Sequence, residues 1–308
     1  MIYTLTLNPA IDLVIDTKTM QPNVVNRTES YDIQANGKGV NVSFILKRLG
    51  IENVALGIGG GFTIKYIEEV LNKSDITNDF VHVEKPTRIN VFTRVQDENQ
   101  EYKLVNKGPK TNKNQINELL KKIKKLKKDD ILSLSGSFSE GIEPGILSQI
   151  ARISEKNQFK LVIDTSYTEV LDTLKYHPYL IKPNEHEIAS WFGMSKVPDQ
   201  ETLIKMGKEL IHRGALNVLI SLGGLGAVFI NSHEVLFGNA AKGEVVNTAG
   251  SGDTMLGSFL GGMVTGLSSK ENLKRALAAG SDTAFQSWIT NFKNVPILEK
   301  QIQVKTID

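Results

Sequence analysis

The 308-residue chain contains no cysteine. That absence excludes a disulfide framework, a thiolate metal site and a cysteine nucleophile, and it accords with a reducing compartment. Aromatic residues are only 7% of the chain, and no apolar run approaches the roughly 20 residues that span a bilayer. The longest candidate, Ala215 to Ile230, is broken by Asn217, Ser221 and the glycines at 223, 224 and 226. An excess of one charge is also missing. Lys+Arg number 36 against Asp+Glu 34, a formal net charge of +2, which supports neither a nucleic-acid partner nor a polybasic membrane role. The five histidines are scattered without metal-ligand spacing, and no G-x-S-x-G, H-E-x-x-H or EF-hand pattern occurs. The opening MIYTLTLNPAID lacks the basic and apolar regions of a signal peptide, so a cytoplasmic location is expected.

What is present is ordinary for a globular protein: 40% apolar and 23% charged residues. The length suits two domains, or one large α/β domain with an appendage. Ile2–Leu7 reads as a buried first strand, and strand-like and helix-like segments then alternate. Val40–Leu49, Thr63–Asn72, Asn114–Lys127, Ile146–Lys156, Glu185–Phe192, Glu201–Arg213, Gly252–Val264 and Lys270–Ile289 read as helices. Such alternation predicts a mostly parallel sheet covered by helices on both faces, with ligands beyond the carboxyl ends of the strands. Val14–Ile33 and Thr87–Val105 are strand-like without helices between, so a small β appendage is expected. The lysine run from Lys121 to Lys128 lies beside an apolar stripe at helical spacing and reads as a solvated helix face.

Five clusters could carry chemistry. Asn247-Thr248-Ala249-Gly250-Ser251-Gly252-Asp253 places two glycines just before a helix, where unpaired N–H groups and the helix dipole attract an anion. Asp253 would repel a bound phosphate, but it suits a base facing an attacking hydroxyl. An ordinary helix cap explains the same residues. Ala35-Asn36-Gly37-Lys38-Gly39-Val40-Asn41 also opens a helix, yet it lacks the spacing of a Walker A motif and alone is a turn with a lysine. Gly57-Ile58-Gly59-Gly60-Gly61-Phe62 fails the dinucleotide fingerprint because Phe62 stands where glycine is needed; it reads as a βα turn open to a ligand. In Lys182-Pro183-Asn184-Glu185-His186-Glu187, Asn184 and Glu187 form either a capping box or oxygen donors near a hydrated Mg²⁺. Ser221-Leu222-Gly223-Gly224-Leu225-Gly226 is a hairpin turn or a turn against a nucleotide.

Taken in order, TLTLNPAID, NGKGVN, GGF, TRIN, SGS, KPNEHE, SLGGLG and TAGSGD resemble the ribokinase superfamily in its phosphosugar, PfkB-type branch. The resemblance spans nearly the whole chain. It implies an α/β fold, a three-layer αβα sandwich over residues 1–308 with a small β-sheet lid from about 12–36 and 87–107. It implies transfer of the ATP γ-phosphoryl group to a sugar phosphate, with fructose 1-phosphate going to fructose 1,6-bisphosphate as the first expectation. Tagatose 6-phosphate and fructose 6-phosphate follow, and a silent sugar-phosphate sensor is the alternative of another class. Carried over, Asp253 is the catalytic base and the backbone of Ala249, Gly250, Ser251 and Gly252 the anion hole. Asp12, Gly37, Lys38, Asn41, Arg88, Asn90 and Ser137 would hold the sugar phosphate, with Lys38 and Arg88 at its anionic end. Lys182, Asn184 and Glu187 would serve the nucleotide phosphates and Mg²⁺, the last two through water. Ser221, Gly223 and Gly226 would lie along the nucleotide, and the segment 278–281, with Ala279 as its cofactor-binding residue, near the adenine. A homodimer through the lid is implied, with no nucleic-acid or membrane partner. Asn36, Ile64, Ser139 and Ser251 depart from the pattern, and none removes a catalytic group.

Overall fold

The computed structural model describes residues 1–307. The chain enters as β1 (Ile2–Thr6), then forms β2 (Ala10–Thr17) and β3 (Ser30–Asn36) before α1 (Lys38–Arg48). β4 (Asn53–Gly60), α2 (Gly61–Lys73) and β5 (Thr77–Val83) follow, then the hairpin β6 (Arg88–Val95) and β7 (Gln100–Leu104). α3 (Lys113–Ile123), β8 (Ile131–Ser135), α4 (Ile146–Asn157), β9 (Lys160–Asp164), β10 (Leu180–Ile181), α5 (Glu185–Trp191) and α6 (Gln200–His212) complete the alternating part. The chain ends with β11 (Asn217–Ser221), β12 (Ala227–Asn231), β13 (Val235–Gly238), α7 (Ser251–Val264), α8 (Ser269–Ala284), α9 (Val295–Leu298) and β14 (Val304–Thr306).

Ten strands form one sheet in the order β14-β13-β12-β11-β10-β9-β8-β1-β4-β5. From β5 to β11 every pairing is parallel; β12, β13 and β14 add antiparallel pairs at one edge. The apolar runs of β8 and β9 follow from this position, because a central parallel strand is covered on both faces. Leu134, Leu161 and Ile163 pack with residues of α3, α4, α5 and α6 on one side. Ile2, Ile131 and Val162 pack with α1, α7 and α8 on the other. Strand order reverses between β1 and β8, so the crevice beyond their carboxyl ends is where a ligand is expected. Asn8 and Ser137 meet across it, Asn8 Nδ2 donating to Ser137 Oγ at 3.1 Å.

A second sheet, β3-β2-β6-β7, stands beside the first. Register decides its two faces. One face carries Asp12 opposite Gln34 and Asn90. The other carries the rows Ile33-Leu13-Val91-Leu104 and Tyr31-Ile15-Thr93-Tyr102. The inner end of that second face, at Ile11, Ala35 and Ile89, is packed with α2, while Tyr31, Ile33, Tyr102 and Leu104 are exposed.

Several elements differ from the sequence expectation. The last long helix stops at Ala284 rather than running to Ile289. Thr290 folds back onto the helix, its hydroxyl bonded to Asp282 and its N–H donating to Thr283 Oγ1 at 2.9 Å. Arg48 clamps the same turn by donating to the carbonyls of Ile289 and Thr290 at 2.7 and 2.6 Å. The apolar spacing of Phe285, Trp288 and Ile289 thus serves tertiary packing, not helix continuation. α3 ends at Ile123, so only part of the lysine run is helical. β5 and β14 were not expected because edge strands need not be apolar throughout. In the Gly57–Phe62 cluster the glycines serve close packing. A Cβ on Gly57 would lie 2.4 Å from the Thr6 carbonyl oxygen, and one on Gly60 would lie 2.0 Å from that of Val83.

Candidate active site

A cleft of ≈ 360 Å³ opens between the small sheet and the carboxyl edge of the large one. Its wall brings together Asp12, Gly37, Lys38, Asn41, Arg88, Asn90, Lys182, Asn184, Glu187, Ser221, Ala249, Gly250, Gly252 and Asp253. These residues come from both halves of the chain, and the sequence had assigned them to substrate, nucleotide or transfer. Beside it a larger, more apolar cavity of ≈ 610 Å³ is lined by α8, the 240–248 segment and the turn after β11. Asn184, Ser221 and Gly252 line both, so the two spaces share a wall.

Gly250 is the N-cap of α7 and adopts φ 80°, a left-handed conformation that glycine takes without strain. Asp253 therefore falls in the first helical turn. It is buried, and its Oδ2 accepts from Asn41 Nδ2 at 2.8 Å. Burial pushes its carboxyl up to about 6; Lys38, Asn41 and Lys182 favour the anion, while Asp164 reinforces burial. The N–H groups at this helix start are not equivalent. Ala249 donates to Asn247 Oδ1 at 2.9 Å and Ser251 to the Thr248 carbonyl at 3.2 Å. Among the described residues, Gly250, Gly252 and Asp253 N–H have no partner. The expected anion hole of Ala249–Gly252 is thereby narrowed: the amides of Ala249 and Ser251 are engaged. The Ser251 hydroxyl is instead buried without a partner and can add a side-chain donor.

Asp12 and Asn90 are register partners on adjacent strands, which explains their contact: Asn90 Nδ2 donates to Asp12 Oδ1 at 2.8 Å. Asn36 Nδ2 donates to the other carboxylate oxygen at 2.6 Å. Burial raises the Asp12 carboxyl, opposed by Asn90, Arg88 and Asn36. Arg88 donates to the carbonyls of Asn8 and Asn106 at 3.1 and 3.3 Å, and its buried Nε has no partner. An unused donor on a cation lining the cleft suits an anionic ligand group.

Lys38 lines the same cleft as Arg88 and is also paired with a carboxylate. Its ammonium lies 3.3 Å from Asp164 Oδ1, and Asp164 is fully buried at the end of β9. Lys182, also buried, lies 3.1 Å from the same oxygen. Asp164 holds Lys38 above its ordinary range against burial, with Asp253 and Glu187 adding to the effect. Burial pushes Asp164 upward, but Lys182 and Lys38 overcome it and hold the carboxyl below its usual range. The Lys182 ammonium lies 3.7 Å from where a Cβ on Gly252 would stand, so it sits against the open helix start. Asp164 was missed in the sequence because a lone aspartate ending a strand carries no local signature; only its position at the carboxyl edge could have drawn attention.

The capping box expected at the fourth cluster is formed: Glu187 N donates to Asn184 Oδ1 at 2.8 Å and Asn184 N to Glu187 Oε2 at 2.9 Å. The Gly223–Gly226 turn does join antiparallel strands. Ser221, Gly223 and Gly226 all line the larger cavity. Of the 278–281 segment, Gly280 and Ser281 line that cavity together with Ala284, whereas Ala279 is fully buried in the core. Helical periodicity accounts for the difference, since adjacent residues point about 100° apart. Phe285 and the 240–245 segment, which had no sequence signal, complete that wall. Ser137 is exposed beyond β8 and is tied to Asn8.

A buried carboxylate beside an open helix start, flanked by two lysines and an apolar cavity, is the set of groups that phosphoryl transfer from a nucleotide requires. The profile of the pfkB family carbohydrate kinases matches residues 5–290, and the chain belongs to that family. It is 45% identical to a D-tagatose-1-phosphate kinase of Bacillus licheniformis over 99% of both chains. It is 36% identical to a 1-phosphofructokinase of Borreliella burgdorferi, covering 100% of this chain and 99% of that one. A Staphylococcus aureus protein whose solved structure carries a provisional phosphofructokinase name superposes with a TM-score of 0.88 at 36% identity, covering 100% of this chain and 99% of that chain. Membership makes the protein a carbohydrate kinase, which implies ATP as its phosphoryl donor, and together with relatives named as sugar phosphate kinases it indicates a sugar phosphate kinase.

Proposed function

We propose that the protein phosphorylates a ketohexose 1-phosphate on its terminal C6 hydroxyl, giving a 1,6-bisphosphate and ADP. The observation that carries this reading is Asp253, buried, accepting from Asn41 and placed beside unpaired N–H groups at the start of α7. ATP occupies the apolar cavity along α8, with its γ-phosphate at the wall shared with the cleft. The sugar lies in the polar cleft, its hydroxyls on Asp12 and Asn41 and its phosphate toward Arg88 and Ser137. The hydroxyl oxygen attacks the γ-phosphorus and the bond to the β–γ bridging oxygen breaks. Asp253 takes the hydroxyl proton, and ADP leaves. Gly250, Gly252 and Asp253 N–H, with Lys38 and Lys182, meet the charge on the transferring group.

Among the described residues no group of three or more His, Cys, Asp or Glu could hold a metal ion. The donor set fits Mg²⁺ only as a largely hydrated ion carried by the phosphates. The cap leaves Glu187 Oε1 available, and Glu187 would hold the ion through water with Asn184 beside it. When bound, Mg²⁺ supplies charge neutralisation at the phosphates.

Fructose 1-phosphate is the first substrate reading. The 45% identical relative favours its C4 epimer, tagatose 1-phosphate, and moves the tagatose reading from the 6-phosphate to the 1-phosphate. An ADP-release assay across both 1-phosphates, both 6-phosphates and free fructose tests this. A 1-phosphate should exceed every other acceptor by at least tenfold in kcat/KM, a gap of about 1.4 kcal/mol. A preferred 6-phosphate would overturn the substrate reading, and no ATP turnover with any acceptor would favour the sensor.

The exposed apolar rows of the small sheet support a homodimer formed through that face, with the opposite face closing on the sugar. Leu104→Asp should convert a dimer to a monomer in light scattering. A parent protein that is already monomeric at micromolar concentration would remove this reading. Among the described residues no helix is long and apolar enough to cross a membrane.

A further inference from the structure

We propose that Asn36 is a positioning residue that locks the Asn41 amide in the orientation the base requires and ties it to Asp12. Asn41 Nδ2 donates twice, to Asp253 Oδ2 at 2.8 Å and to Asn36 Oδ1 at 2.9 Å. An amide rotated by half a turn would set the Asn41 oxygen against both the carboxylate and the Asn36 carbonyl. Asn36 is itself fixed at both ends of its side chain. Its Oδ1 also accepts from Gly37 N at 2.6 Å, and its Nδ2 donates to Asp12 Oδ2 at 2.6 Å. Asp12 is held in turn by Asn90, whose Oδ1 accepts from Asn106 N at 3.1 Å. Orientation is thus set by two backbone N–H groups, Gly37 and Asn106, and passed by side chains from the small sheet to α7.

A second observation gives this chain a use. Asn41 is almost fully buried, lines the cleft, and its Oδ1 has no partner in the protein. With Nδ2 committed to Asp253 and Asn36, that oxygen is the acceptor left for a sugar hydroxyl. Asn36 therefore decides which Asn41 atom meets the base and which meets the substrate. It contacts neither the apolar cavity nor the nucleotide-facing residues.

The inference rests on Asp253 being the base, and the test separates the two. Asn36→Ala removes all three side-chain bonds, to Asp12, Gly37 N and Asn41; Asn36→Asp keeps the acceptor but sets a carboxylate against Asp12. For each, kcat/KM for the sugar phosphate is followed against pH, with KM for ATP and the melting temperature. The other groups facing Asp253, which are Lys38, Lys182 and Asp164, are unchanged in every variant. A hydrogen bond to the charged form lowers a carboxyl pKa, so its loss should move the acidic limb upward. Asn36→Ala should raise that limb by about one pH unit and lower kcat/KM on the order of tenfold. Asn36→Asp should move it further, and KM for ATP should stay within twofold. If Asn36→Ala does not fold, Asn36→Ser carries the same expectation for the limb. Folded variants with the parental acidic limb would overturn the inference, even if their melting temperatures fell. Should Asp253→Asn abolish turnover while the Asn36 variants behave as the parent, this inference alone fails. Near-normal turnover of Asp253→Asn would instead remove the reading on which it rests.

Discussion

Asp253→Asn should lower kcat by roughly 10²–10⁴-fold, the usual worth of a positioned general base, and at the same time raise the melting temperature. The two effects share a cause. Asparagine matches the carboxylate in shape and can still accept from Asn41, but it cannot take a proton. In the native protein the carboxyl is pushed to about 6 from an ordinary 3.8, chiefly by burial. The folded state thus holds the proton more tightly than the unfolded chain. Keeping Asp253 ionised above pH 6 costs stability on the order of 3 kcal/mol, and this cost is relieved as pH falls from about 6 toward 3.8. Asparagine removes it at every pH; the attraction to Lys38 is already contained in that net shift. Activity should run the opposite way, since in the proposed reaction the anion is the base: kcat/KM of the parent should fall about tenfold per pH unit below pH 6. Scanning calorimetry at pH 7.5 and a pH–rate profile measure the two sides. A variant that melts below the parent would show that the carboxylate is not strained by burial.

The second large effect is structural. Lys182→Met should destabilise the protein by about 3–5 kcal/mol in chemical denaturation, because it strips one partner from a buried ion pair. Asp164 is fully buried, its Oδ2 already lacks a partner, and Lys182 is the nearer of its two lysines. Lys38 remains, but its ammonium is partly exposed and cannot replace the buried contact. Pairing Lys182→Met with Asp164→Leu should recover most of the loss, since an apolar pair leaves no charge stranded. The sign with pH is also set. Asp164 lies below its usual range in the fold, so its contribution is present above about pH 4 and is lost as pH falls through its folded pKa. That acid sensitivity should be reduced in the double variant. A loss under about 1 kcal/mol would mean that water reaches the pair.

How far the sequence could be read depended on whether a signal was local. Gly250, Gly252 and Asp253 were legible because a helix start, its glycines and its first-turn carboxylate are neighbours along the chain. The β/α alternation was legible because buried parallel strands are apolar runs that need no alternation. Asp164 was not, since its meaning comes from two lysines far apart in sequence. Asn36 looked like a mere departure from a glycine pattern, because its three side-chain hydrogen-bond partners are fixed only by folding. Ala249 and Ser251 show the limit within a motif: spacing locates the loop, but only the turn decides which N–H groups stay open. The end of α8 was misplaced because Trp288 and Ile289 continue an apolar spacing whose purpose is to dock a returning turn.

The wall of the cleft has a consequence for how its ligands arrive. Lys38, Arg88 and Lys182 face Asp12, Glu187 and Asp253, so its formal charges cancel, and buried Asp164 tips the balance negative. Such a site is no long-range magnet for polyanions. Its attraction acts at contact, through Gly250, Gly252 and Asp253 N–H and the unused Arg88 Nε. The association rate of the sugar phosphate should therefore change little between low and physiological ionic strength, unlike a binder guided by a field of like charges. Nucleotide bearing its own cation should be admitted far more readily than the bare tetra-anion. Discrimination between them would then be exercised by the empty protein, before any chemistry begins.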